Sequence, residues 1–186
     1  MDAPLDRDVE RVLLSEEQIR AGLERLAQQL LTDYSSDEPC LVACLRGSLV
    51  FTADLIRRMP IRLRVDFLHA SSYGNATVSK GTVDLRLLPD PDEVVGRRVI
   101  LVDDILDSGR TLAAARRTLL DLGASDVKTC VFLEKRVPRS VEARADYKCF
   151  EIGDEFVIGY GLDYAGRYRN LPYLAALRRD LVQRAR

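Results

Sequence analysis

The stretch Val99-Ile-Leu-Val-Asp-Asp-Ile-Leu-Asp-Ser-Gly-Arg-Thr-Leu112 decides how the rest of the chain reads. Its apolar start, Val99 to Val102, has the continuous character of a strand covered on both faces. Such a strand delivers Asp103 and Asp104 to its exposed end. A short loop, Asp107-Ser-Gly-Arg-Thr111, then opens TLAAARRTLLDLG, a helix of good formers with a terminal glycine. Small and hydroxyl residues in that loop let backbone N–H groups converge on a phosphate, aided by the helix N-terminus. Ser108 and Thr111 add hydroxyl donors. Each residue alone is ordinary for an α/β protein; the combination carries the information. The loop lacks GxxxxGK[ST] spacing, which argues against an NTPase.

Outward from this segment, strands alternate with helices. Ser15-Glu-Glu-Gln18 is a capping box, followed by Ile19, Leu23, Leu26, Leu30 and Leu31 at helical spacing. CLVACL (40–45) predicts a buried strand, and Gly47-Ser48 lead into LVFTADLIRRM, a helix. RLRVDFLHASSY (62–73) predicts a strand, GNATVSKG (74–81) a mobile loop, and VDLRLL another strand. LLPDPDEVVGRR reads as a turn-rich connection. VKTCVFL (127–133) and EFVIGYGL (155–162) predict further strands, and the tail LAALRRDLVQRAR an amphipathic helix with a solvated basic end. The alternation predicts a parallel, doubly wound sheet, in which ligands bind beyond the carboxyl ends of the strands. Functional residues are therefore expected just after CLVACL, VILVDD, VFL and FVIGYGL.

Composition bounds the function. The 186 residues fit one domain, and 47% hydrophobic with 31% charged residues supports a core and a wettable surface. Lys+Arg 28 against Asp+Glu 29 leaves a net charge of -1, a balance that argues against a protein built to coat nucleic acid, whose footprint is usually a basic excess. No apolar run nears the roughly 20 residues that span a bilayer. MDAPLDRDVERVLL lacks a signal-peptide layout, and a cytoplasmic protein is expected. Cys40, Cys44, Cys130 and Cys149 form no CxxC pair and read as reduced thiols. His69 is the only histidine, which disfavours a Ser-His-Asp triad or a multi-imidazole metal site.

The Asp-Asp strand end followed by hydrophobic-hydrophobic-Asp-Ser-Gly-x-Thr closely resembles the phosphoribosyl-pyrophosphate motif of type I phosphoribosyltransferases. Three further segments fall in family order. Leu45-Arg-Gly-Ser48 is similar to the pyrophosphate loop, and Ser71-Ser-Tyr-Gly74 to the start of the catalytic lid. Glu134-Lys-Arg136 with Phe150 to Pro172 looks like the purine hood of hypoxanthine-guanine enzymes, nearer the bacterial than the animal form. The resemblance implies an α/β type I phosphoribosyltransferase fold, a mostly parallel twisted sheet flanked by helices with a small purine-binding hood. Residues 1–186 would form one domain, with a core at about 36–135 and a hood from the N-terminal segment and about 136–186.

The same resemblance implies the roles. Leu45, Arg46, Gly47, Asp103, Asp104, Asp107, Ser108, Gly109, Arg110, Thr111 and Arg169 would bind phosphoribosyl pyrophosphate. In the family the Leu45–Arg46 peptide can be cis. Asp107 matches the general base that takes the purine N7 proton. Lys135, Phe156, Val157 and Asp163 would bind the purine, with Lys135 donating to O6 and Phe156 stacking on the ring. Ser72 and Tyr73 would be lid contacts. Asp103, Asp104 and Asp163 would hold Mg2+, directly or through water. The reaction implied is transfer of a 5-phosphoribosyl group to hypoxanthine or guanine, giving IMP or GMP, by a homodimer or homotetramer. A xanthine-preferring enzyme and a nucleotide-sensing transcriptional regulator on the same fold are the alternatives. The Asp107 position and the complete Lys135 to Arg169 hood oppose the regulator.

Overall fold

The computed structural model describes residues 6–72, 83–139, 141 and 144–183. Among them, a six-stranded and a three-stranded sheet organise the chain. The large sheet contains β2 (Cys40–Leu45), β3 (Arg64–Ser72), β4 (Val83–Leu87), β5 (Arg98–Leu106), β6 (Asp126–Lys135) and β7 (Tyr147–Ile152), in the order β4-β3-β2-β5-β6-β7. Only β4 runs antiparallel to its neighbour. The mostly parallel type I phosphoribosyltransferase sheet expected from the sequence is present. The small sheet places β9 (Leu174–Leu177) between β1 (Val9–Leu14) and β8 (Val157–Ile158).

Strand side chains alternate between faces, so a strand buried on both sides must be apolar at every position. Leu41, Ala43, Ile100, Val102 and Phe132 face α1 (Glu16–Tyr34) and α2 (Leu49–Ile56). Cys40, Val42, Val99, Leu101 and Val131 face α3 (Pro91–Val94) and α4 (Arg110–Asp121). Each fully buried Leu, Ile or Val contributes about 1.5–3 kcal/mol. Burial also raises the thiol of Cys40 to about 11, consistent with an inert, reduced core cysteine.

Helix α1 starts as the capping box requires. The Ser15 hydroxyl accepts from the Gln18 N–H at 3.2 Å, and the Gln18 side chain accepts from the Ser15 N–H at 2.8 Å. Ile19, Leu23, Leu26 and Leu30 are buried, so its apolar stripe faces the sheet. Gly22 has its own reason: a Cβ there would lie 2.2 Å from Cζ of Phe150 on β7. Gly22→Ala is therefore expected to destabilise the fold by about 1–3 kcal/mol, the usual cost of overpacking. A thermal melt checks this, and an unchanged melting temperature would show that the Phe150 ring yields without cost.

Four features of the chain differ from the sequence expectation. EFVIGYGL is extended only at Val157–Ile158, because Gly159, Tyr160 and Gly161 have φ of 94°, 49° and 98° and turn the backbone. The tail is not one helix. Leu174–Leu177 is a fully buried strand paired on both edges, and α5 covers only Arg179–Gln183. A short apolar run gives no periodicity with which to tell strand from helix. LLPDPDEVVGRR contains the one-turn helix α3, begun by Asp90 accepting from the Asp92 N–H at 3.0 Å. Finally, β1 and β7 were unread; β7 extends the large sheet although it falls within the range assigned to the hood.

Candidate active site

Parallel pairing brings three strand ends to one edge. Cys40↔Val99 and Ala43↔Val102 set β2 beside β5, and Val102↔Cys130 and Leu106↔Glu134 set β5 beside β6. Leu45, the Asp103–Asp104 pair and Lys135 therefore emerge together. A cavity of about 360 Å³ opens there, lined by Leu45, Arg46, Gly47, Asp103, Asp104, Asp107, Ser108, Gly109, Thr111, Asp163 and Arg169. Of the eleven residues expected to bind phosphoribosyl pyrophosphate, only Arg110 lies outside this lining, on the exposed first turn of α4.

Glycines let the backbone close around this cavity. Gly109, with φ 81°, occupies the N-cap of α4, a left-handed position that favours glycine. Gly109 has no side chain with which to cap the helix, and the Ser108 hydroxyl accepts a long, 3.5 Å bond from the Arg110 N–H. A glycine at the N-cap places no side chain of its own over the first turn, which keeps the helix entry open to an anion. At Gly47 a Cβ would lie 1.6 Å from Oδ2 of Asp104, so the 45–47 turn sits directly on that carboxylate. The Leu45–Arg46 peptide is cis, and the Ser48 hydroxyl donates to the Cys44 carbonyl at 2.6 Å to pin the turn behind it.

The acids of β5 are held at an electrostatic disadvantage. Asp103 is 7% exposed, and its Oδ1 accepts from the Asp104 N–H at 3.0 Å. Burial, then the neighbouring Asp104 charge, raises the Asp103 carboxyl well above its ordinary range. Burial also raises Asp104, opposed by hydrogen bonds and by the Arg169 guanidinium. A folded-state pKa above the unfolded value means the folded state binds more protons, so these acids lower stability as pH rises through that interval. Asp103→Asn keeps an accepting oxygen for the Asp104 N–H while removing one charge. The ligand-free variant is expected to melt about 2–4 °C higher at neutral pH, the shift that about 1 kcal/mol gives in a chain of this size. Differential scanning calorimetry reads it, and a lower melting temperature would mean that the charge is compensated.

Asp163 and Arg169 come from the turn-rich segment after β8. Arg169 Nη2 pairs with Asp163 Oδ1 at 2.5 Å and Nη1 donates to the Gly161 carbonyl at 2.7 Å. Among the described residues no group of three or more His, Cys, Asp or Glu side chains gathers to hold a metal. The buried Asp103 and half-buried Asp104, with Asp163 on the same cavity wall, suit a hard cation that takes its remaining oxygens from a diphosphate and water.

A second cavity, of about 790 Å³, adjoins the first and shares Asp107 with it. Lys135 and Phe156 line it too. The Lys135 ammonium, 11% exposed, lies 3.5 Å from Asp107 Oδ2 and 3.5 Å from Asp154 Oδ1. Its strand end is braced by Glu134, which accepts from Arg139 and Lys148, each at 2.8 Å, while Arg139 also donates to the Lys135 carbonyl. Phe156 is 42% exposed yet stacks edge-on against Tyr164 with centroids 5.5 Å apart, which holds the ring in place. Val157 is buried in β8 outside this lining, and Asp163 faces the first cavity.

The sequence reading missed Glu10, Arg11, Asp154 and Arg179 on the second cavity's wall. Glu10 and Arg11 belong to β1, unread as a strand, so no signal placed them here. Ser72 ends β3, and Tyr73 and the loop 74–81 lie outside the described residues.

The phosphoribosyl transferase domain family matches residues 12–165. The chain is 40% identical to a hypoxanthine-guanine phosphoribosyltransferase of Streptococcus thermophilus, over 97% of this chain and 99% of that one. It is 41% identical to the Bacillus subtilis hypoxanthine-guanine phosphoribosyltransferase, over 94% and 96% of the two chains. Its structure is similar to a hypoxanthine phosphoribosyltransferase from Staphylococcus aureus, with a TM-score of 0.91, 35% identity and coverage of 97% and 98%. The chain thus belongs to the phosphoribosyl transferase domain family, in its hypoxanthine-guanine phosphoribosyltransferase branch.

Proposed function

We propose that this chain serves purine salvage, transferring the 5-phosphoribosyl group of phosphoribosyl pyrophosphate to hypoxanthine or guanine and releasing IMP or GMP with pyrophosphate. The observation that carries the reading is the sharing of Asp107 by a phosphate-type loop cavity and a cavity bearing Lys135 and Phe156. A group that joins two substrates across C1 of the ribose needs such a junction.

In this reading Asp107 to Thr111 hold the ribose 5-phosphate through backbone N–H groups and hydroxyls. Asp103 and Asp104 accept from the ribose hydroxyls and, with Asp163, hold magnesium directly or through water. When bound, magnesium neutralises charge on the diphosphate. Leu45, Arg46, Gly47 and Arg169 line the diphosphate end, the two arginines stabilising charge as the bond to C1 breaks. A purine nitrogen forms the new bond to C1, and Asp107 takes the proton released at N7. Lys135 donates to O6, and Phe156 stacks on the ring with the Val157 and Asp163 carbonyls at the base edge. Ser72 and Tyr73 belong to a lid that excludes water from the oxocarbenium-like carbon.

The resemblance adds a cytoplasmic homodimer or homotetramer with neither nucleic-acid nor membrane partner; a sedimentation mass of one chain would remove the oligomer. Among the described residues no helix is long and apolar enough to cross a membrane. Isothermal calorimetry with magnesium tests the site itself. Phosphoribosyl pyrophosphate and IMP should bind in strict competition, since both place a 5-phosphate on residues 107–111. Simultaneous, independent binding would overturn the assignment.

A further inference from the structure

We propose that Asp54, acting through Tyr160, is a positioning residue for the diphosphate end of the site, a proposal that rests on the reading of Arg169 given above. Asp54 lies on α2, and its Oδ2 accepts a 2.7 Å hydrogen bond from the Tyr160 hydroxyl, 106 residues away in sequence. Nothing in the chemistry described so far uses either residue.

Tyr160 sits where the backbone resists a tyrosine. Its φ of 49° falls in the left-handed region, between Gly159 at 94° and Gly161 at 98°. A bulky residue persists there only where its surroundings hold it. Three attachments do so. The Tyr160 N–H donates to the Leu171 carbonyl at 2.9 Å, the ring packs on Phe132 at 4.8 Å, and the hydroxyl reaches Asp54. The first two fix the turn in the core, and the third ties it to α2.

What this turn carries is the diphosphate machinery. The Gly161 N–H donates to the Arg169 carbonyl at 2.9 Å, and the Gly161 carbonyl accepts from Arg169 Nη1 at 2.7 Å. A Cβ on Gly161 would lie 2.2 Å from the Gly47 carbonyl oxygen, so the turn rests on the 45–47 turn. Helix α2 begins at Leu49, directly after that same turn. One hydrogen bond therefore closes a ring: Gly47 to α2, α2 through Asp54 to Tyr160, Tyr160 to Gly161, and Gly161 back to Gly47 and out to Arg169. Breaking it lets the two turns drift relative to each other and takes Arg169 off its anchor.

Asp54 is suited to a test because its loss leaves no stranded buried charge. Its side chain is 24% exposed and also pairs with the Arg57 guanidinium, beside a cavity of about 480 Å³ whose wall includes Arg169. Steady-state kinetics of Tyr160→Phe, Asp54→Ala and Asp54→Asn are compared with Arg169→Gln, each checked for folding by circular dichroism. Tyr160→Phe and Asp54→Ala are expected to raise KM for phosphoribosyl pyrophosphate about tenfold, as loss of a hydrogen bond to a charged acceptor does. KM for hypoxanthine should change less than about twofold, since the base cavity lies on the other side of Asp107. Asp54→Asn, which keeps an accepting oxygen, should recover most of the loss. If Tyr160→Phe and Asp54→Ala leave KM for phosphoribosyl pyrophosphate unchanged while Arg169→Gln raises it, the positioning role is wrong and the assignment of Arg169 stands. A fall in melting temperature and kcat with both KM values unmoved also overturns it, leaving Asp54 a structural anchor. If Arg169→Gln itself leaves that KM unchanged, the reading of Arg169 fails, and the proposal with it.

Discussion

Asp107→Asn is expected to lower kcat with hypoxanthine by about 10²–10⁴-fold while leaving phosphoribosyl pyrophosphate binding largely intact. Asparagine keeps the size and an accepting oxygen but cannot take a proton. The 5-phosphate is held by the loop's backbone and hydroxyls, so the first substrate still binds. Asp107 is half-exposed and lies 3.5 Å from the Lys135 ammonium, on the boundary of the two cavities. Among the described residues no other carboxylate lines both cavities, since Asp103, Asp104 and Asp163 line only the first, and Glu10, Asp154 and Glu155 only the second. Stopped-flow or steady-state kinetics, with binding by calorimetry, separate the two quantities. An unchanged kcat would show that the purine proton leaves by another route.

The chemistry-bearing segment was legible because its residues lie contiguously on one strand, loop and helix. Val99 to Leu112 needs no long-range partner to declare a buried strand that ends in acids and a small-residue loop. The capping box at Ser15 was legible for the same reason, since its hydrogen bonds span three residues. What stayed hidden depends on partners far along the chain. VERVLL becomes β1 only because Leu174–Leu177 lies beside it, and LAAL becomes a strand only between β1 and β8. Neither segment shows strand periodicity over enough residues to compete with helical tails. Glu10 and Arg11 reach the second cavity through that pairing, so they were missed together with their strand. The left-handed turn at Tyr160 was hidden for another reason. Two flanking glycines hint at a turn, but a tyrosine inside it is held by Asp54 and Phe132, far away in sequence.

Lys135→Ala should lower kcat/KM for hypoxanthine and guanine by roughly 10- to 150-fold, the range that one hydrogen bond to a charged group of about 1.5–3 kcal/mol provides. The ammonium is nearly buried between Asp107 and Asp154, oriented by a strand end that Glu134, Arg139 and Lys148 hold together. Removing the side chain leaves that brace in place, because Arg139 bonds the Lys135 backbone carbonyl. The effect should thus fall on the base and not on the fold. A donor at this point pairs with a 6-oxo group and faces another donor in the 6-amino group of adenine. Adenine should consequently gain relative to hypoxanthine in the variant, as the discrimination that rests on a single polar contact disappears. Parallel kcat/KM determinations for both bases read this ratio, and an unchanged ratio would place oxo-group recognition elsewhere in the second cavity.

The most direct test of the central claim is a spectrophotometric assay of the unmodified protein with phosphoribosyl pyrophosphate and magnesium. Hypoxanthine, guanine, xanthine, adenine and uracil are offered separately. The account predicts turnover of hypoxanthine or guanine to its nucleotide, and little or none of adenine and uracil. Folded protein that binds phosphoribosyl pyrophosphate yet turns over none of the five bases would contradict it and favour a nucleotide-sensing role for the same fold.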